Sequence, residues 1–229
     1  ALSWTVVSKF ARRRTTVLTA VLTFGAASLI ISLLPPLPCR SAASAAALNL
    51  TGVESVTTGT GADSVIVTDS SLAAANLGSG ADSLVFQGAA NNTVSITAVE
   101  SVQSGNGNDT FTVTDNALAN AQLGSGSDTL TISSSGNTTT VDGGAGSDSV
   151  TALNGTDANS FNLTGVETIS TGAAADTVVA DESLVVANLG AGADQLTRNG
   201  GAGGNLAIAG VETLTTGSGN DTITADQFI

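Results

Sequence analysis

Seven aspartates, Asp63, Asp82, Asp109, Asp128, Asp148, Asp194 and Asp221, each follow one glycine by two residues and another by four, and each precedes an apolar residue by two. The paired glycines are Gly59 and Gly61, Gly78 and Gly80, Gly105 and Gly107, Gly124 and Gly126, Gly144 and Gly146, Gly190 and Gly192, and Gly217 and Gly219. Asp157 and Asp176 fall in the same frame with a degenerate glycine pattern. Calcium takes six to eight oxygens, with carboxylates supplying charge and carbonyls much of the rest. Glycine, free to adopt positive φ, lets a turn aim its carbonyls at an ion that a Cβ would obstruct. One such turn offers too few oxygens. Two stacked turns can complete a shell, so the chemistry expected of these residues is the binding of a hard divalent cation.

The elements that must stack the turns are legible in the period. "VESV" at 53–56 recurs as "VESV" at 99, "VETI" at 166 and "VETL" at 211, and nine residues separate Glu54 from Asp63, Glu100 from Asp109, Glu167 from Asp176 and Glu212 from Asp221. Fixed periods of this kind signal a repeat architecture. After the acids, Val65, Leu84, Phe111, Leu130, Val150, Val178, Leu196 and Ile223 open short alternating runs, which read as strands with one buried face. If two nine-residue words form one coil, acids 18–20 apart lie above one another. The expected columns are Asp63, Asp82 and Glu100 on one edge, Asp109, Asp128, Asp148 and Glu167 on the other, and Asp157, Asp176, Asp194 and Glu212 back on the first, with Asn92 and Asn137 filling gaps. A three-sided coil of 27 residues would separate Asp63 from Asp82.

The words "GTGADSVIV", "GSGADSLVF", "GNGNDTFTV", "GSGSDTLTI", "GGAGSDSVT", "GAGADQLTR" and "GSGNDTITA" resemble the nonapeptide of the RTX, or hemolysin-type calcium-binding, family over about residues 52–226. The resemblance implies an all-β fold, a right-handed parallel β-roll or β-solenoid, with Ca2+ between turns stacked on one edge. Only "GGAGSD" at 143–148 carries the full double glycine; Thr58, Leu77, Ser104, Leu123, Leu189 or Thr216 takes the first place elsewhere. Carboxylates stacked at one strand spacing repel without a counter-ion, so partial folding is expected in chelator. Asp69, Asp115, Asp181 and Asp226 follow the strands and suit either support of the opposite turns or ordinary turn chemistry.

Charge divides the chain. Five of its six basic residues precede residue 41, and beyond that point 19 acids face only Arg198. An acidic segment of this kind is no partner for nucleic acid. Residues 15–34 form an uncharged, largely apolar run after Arg12, Arg13 and Arg14, long enough to cross a bilayer as a helix, and Pro35, Pro36 and Pro38 end it. A cleaved secretory signal is the competing reading. The expected organisation is a basic cytoplasmic or stromal segment at 1–14, a membrane helix at 15–34, a Pro/Ala/Ser linker at 35–48 and the solenoid at 49–229, placed outside the cytoplasm by the positive-inside rule. Cys39 is an incidental thiol, and the absence of Met suggests a processed product or fragment. With no His, no nucleophile–base set and no phosphate loop, catalysis is not expected. The function expected is a calcium-stabilised extracytoplasmic scaffold or adhesion module. The alternative is an accessory single-pass subunit of a respiratory or photosynthetic membrane complex, with a protein partner on the helix or capping the solenoid.

Overall fold

The computed structural model describes residues 45–152 and 156–226, together with the backbone of Thr19–Phe24 and Ala27–Ser32. Between Ala47 and Ala225 the described residues form a parallel β-solenoid. Its strands alternate between two ten-stranded sheets, so each coil contributes one strand to each. Ser64–Val67 of the first sheet is followed by Ala74–Asn76 of the second and then by Ser83–Phe86, which returns to pair with Ser64–Val67. Ser64 opposes Ser83, 19 residues on, so the coil has two long faces and the three-sided alternative is excluded.

Period-two alternation decides what each strand buries. Val65, Leu84 and Val102 from the first sheet meet Phe111, Leu130 and Val150 from the second in one continuous core. Phe86 and Phe111, one from each sheet, tilt against each other at 5.5 Å between ring centroids. Of the apolar residues expected to enter the core after each acid, Ile223 differs: it lies on the last strand, Asp221–Ala225, and is 37% exposed because no further strand covers it among the described residues.

The outer face of the second sheet carries two straight rows of hydroxyl residues. One is Thr93, Thr110, Thr129, Ser149 and Thr168; the other is Ser95, Thr112, Thr131, Thr151 and Ser170. No charged side chain stands on these five strands. Threonine suits such a surface because its branched Cβ favours the extended backbone.

The membrane helix expected over 15–34 is not confirmed. Its described portions, Thr19–Phe24 and Ala27–Ser32, pair as antiparallel strands, and the rest of that run lies outside the described residues, as do 1–14 and 35–44. No helix among the described residues is long and apolar enough to cross a membrane. Five of the twelve residues of "TAVLTF" and "ASLIIS" are Thr, Val or Ile, whose branched Cβ favours the extended backbone.

Candidate cation columns

Each column forms because the residue just before a strand sits in the same register as its counterpart one coil away. Its backbone N–H, too early to join the sheet ladder, donates to the carboxylate of the next rung. Asp63 N–H reaches Asp82 Oδ1 at 2.7 Å, and Asp82 N–H reaches Glu100 Oε2 at 2.6 Å. On the opposite edge, Asn92, Asp109 and Asp128 donate to Asp109, Asp128 and Asp148 at 2.7–2.8 Å, and Asp148 donates to Glu167 at 2.6 Å. Back on the first edge, Asn137, Asn159, Asp176 and Asp194 donate in turn to Asn159, Asp176, Asp194 and Glu212. The expected alternation of edges is therefore present, rung by rung.

Two of the expected ligands are elsewhere. Asp157 is exposed, and Asn159 takes its rung, because the strand Ser160–Thr164 begins one residue after Asn159. The spacing to the first buried apolar residue, Phe161, identifies the correct position: Asn159 lies two residues before it and Asp157 four. Asp221 starts the last strand and forms an ion pair with Arg198 at 2.9 Å.

The other seven of the nine aspartates share one unusual feature. Asp63, Asp82, Asp109, Asp128, Asp148, Asp176 and Asp194 are each at most 2% exposed, each accepts a backbone hydrogen bond at Oδ1, and each leaves Oδ2 buried with no partner. A buried acceptor without a donor is costly, and a buried carboxylate more so. Burial pushes Asp82, Asp148 and Asp194 above the usual carboxylate range, reinforced by neighbouring acids, and pushes Asp128 up to about 6. The asparagine rungs show what the position calls for. Asn92 Nδ2 donates to Ala90 O and to Asp109 Oδ1, and Asn159 Nδ2 donates to Asp176 Oδ1. Asparagine answers the acceptors of the column with an N–H; aspartate sets another acceptor beside them.

The glycine turns are held by close stacking. Successive turns bridge through their backbones, Thr60 with Ser79, Asn106 with Ser125, and Ser125–Gly126 with Ala145–Gly146. A Cβ on Gly146, whose φ is +149°, would overlap Gly126 O, so this glycine is needed for stacking whether or not an ion is bound. Equivalent approaches hold Gly78 over Gly59, Gly80 over Gly61, Gly124 over Gly105, Gly144 over Gly124, Gly190 over Gly172 and Gly217 over Gly200, while Gly107 packs on Ala90, Gly192 on Ala174 and Gly219 on Gly203. The first place of the double glycine faces inward: Thr58 donates to Leu77 O at 2.5 Å, Ser104 donates to Leu123 O, and Leu77, Leu123 and Leu189 are buried in the core, which explains why glycine is replaced there. No group of three or more acidic, His or Cys side chains gathers closely enough among the described residues to hold a metal by itself. The orphaned oxygens fit a divalent cation only if turn carbonyls and water complete its shell.

A second word ends each column. Glu100, Glu167 and Glu212 follow by two residues a backbone in the left-handed region: Ala98 at φ 51°, Gly165 at 60° and Gly210 at 60°. On the next coil of the same edge an Asp-x-x-Leu corner replaces the glycine turn. Asp115 accepts from Ala98 N–H at 2.6 Å and from Ala117 N–H at 3.3 Å, Asp181 accepts from Gly165 and Ser183, and Asp69 likewise accepts from Gly52 and Ser71. Asp69, Asp115 and Asp181 thus do both tasks the sequence left open, whereas the side chain of Asp226 makes no such bond among the described residues. Leu72, Leu118 and Leu184, each at most 1% exposed, fill the core at these corners. The chain matches no family model, no curated protein and no solved structure.

Proposed function

We propose that this protein is a non-enzymatic, cation-stabilised β-solenoid that acts as a scaffold or adhesion module outside the cytoplasm, with Ca2+ as the cation. The observation that carries the reading is the set of seven buried Oδ2 atoms with no donor, carried by aspartates drawn up in columns. Aspartates 63 and 82, 109 to 148, and 176 and 194 would hold the ions, and Glu100, Glu167 and Glu212 would close the columns. A bound divalent cation would supply the positive charge that offsets the stacked carboxylates. Extracytoplasmic modules of this affinity class work at about 0.1–1 mM calcium, which suits weak sites with few carboxylates each.

The adhesion role is favoured by the two hydroxyl rows on the second sheet. Uncharged side chains repeating at the strand spacing of about 4.8 Å suit a regular hydroxyl-bearing surface, crystalline polysaccharide or ice. Calcium titration of the full chain, read by calorimetry and circular dichroism, tests the cation reading: saturable binding with a gain of β signal is expected, and no heat and an unchanged spectrum would refute it. Adsorption to crystalline polysaccharide and to ice in separate assays, abolished by the double substitution Thr112→Lys and Thr131→Lys, tests the surface. A chain that adsorbs to neither keeps only the scaffold role.

A further inference from the structure

Arg198 is the sole basic residue of the solenoid and is 3% exposed. Its side chain enters the space between the sheets from the strand Gln195–Arg198, where it stacks in register over the small Ala180. Three of its nitrogens are engaged: Nε donates to Leu184 O at 3.0 Å, one terminal nitrogen to Glu182 O at 2.8 Å, and the other to Asp221 Oδ1 at 2.9 Å. Gly204 has no side chain to crowd the guanidinium; a Cβ there would come within 3.0 Å of it. A cation-plus-carbonyl arrangement has thus been built from protein atoms around an aspartate in the repeat frame. Unlike the seven buried aspartates, Asp221 meets a cationic side chain at Oδ1, and its own side chain is 10% exposed.

We propose that Arg198 is a built-in substitute for a bound cation: its guanidinium joins two turn carbonyls to Asp221 and so lets the last coil close without a metal ion. The asparagine amides at Asn92, Asn137 and Asn159 are a weaker, neutral relative of this device, since Asp109 and Asp176 beside them keep an Oδ2 without a donor. Their Nδ2 groups donate into the columns where the aspartate rungs present only acceptors. Arginine suits the larger gap because its fork can donate to several acceptors at once and never loses its charge. This rests on the cation reading of the aspartate columns, but its test does not require calcium to bind.

The test is hydrogen exchange in the full chain, followed at Gly204–Ala209 and Asp221–Ala225, the strands that pair at this end. In chelator, Arg198→Met is expected to raise exchange there by about tenfold or more, the effect of one lost charged hydrogen bond on local opening. Adding Asp221→Asn to that variant is expected to return most of the protection, because it removes the unpaired charge while leaving the packing of Met unchanged. Adding calcium to Arg198→Met should also restore it through Asp221. Unchanged protection in Arg198→Met, or a loss that Asp221→Asn does not repair, would overturn the proposal and leave Arg198 as packing alone. Rescue by Asp221→Asn but not by calcium would uphold the role of Arg198 and count against calcium as the cation.

Discussion

The most direct consequence of the buried columns is an inverted pH dependence in the absence of divalent cations. Burial, with Asp148 and Asp109 adding repulsion, pushes Asp128 from 3.8 up to about 6. The folded state therefore holds a proton that the unfolded chain has released between those two values. Stability from this group is fully present below about pH 4 and is lost as pH rises through about 6. A rise of that size is worth at most about 3 kcal/mol, reduced by solvent screening at the edge of the coil. Asp82, Asp148 and Asp194 move in the same direction for the same cause. Asp69 opposes them weakly: burial raises it, but the N–H groups of Gly52 and Ser71 outweigh that and hold it low, so its contribution falls away in acid. The assay is thermal unfolding of the full chain by circular dichroism in chelator from pH 4 to pH 8, with Asp128→Asn alongside. The melting temperature should fall across pH 4–7, and Asp128→Asn should flatten the fall and raise stability at pH 7 in chelator. A melting temperature that is level or rises over that window would show that the columns carry no buried charge penalty.

Other substitutions probe the scaffold. Gly146→Ala drives a Cβ into Gly126 O at a left-handed φ and should cost about 2–4 kcal/mol by chemical denaturation, with or without calcium. Phe111→Ala should cost about 3–5 kcal/mol, because the ring is fully buried and also packs on Phe86. Ala98→Gly relieves a non-glycine residue at φ 51° and should be neutral or stabilising by up to ~1 kcal/mol, whereas Gly165→Ala at the matching corner should destabilise by about as much in the same melts. Asp115→Ala removes two backbone hydrogen bonds from a corner and should cost about 1–2 kcal/mol, with faster amide exchange at Ala98 as its local signature.

The residue order by itself determined the coil. Strand faces follow from alternation, and a frame of nine residues with an apolar residue two after each acid is enough to stack Asp63 on Asp82 and Asp109 on Asp128, since only a two-sided coil puts residues 18–20 apart in register. It misplaced Asp157 because the frame was counted across a stretch where the coil is longer: Thr138 opposes Ser160, 22 residues on, and burial of Phe161, not the count, sets the register. Tertiary structure alone decided how each carboxylate is used. A column position fixes where Oδ1 goes, to a backbone N–H one coil away, but what else meets that carboxylate depends on the neighbouring residue: the Asn92 amide adds a second donor to Asp109 Oδ1, the Arg198 guanidinium reaches Asp221 Oδ1, and Asp128 meets only further carboxylates. Those neighbours lie 17–23 residues away along the chain. The short-range pattern holds no record of them, because the chemistry of a solenoid runs across the coils while its sequence runs around them.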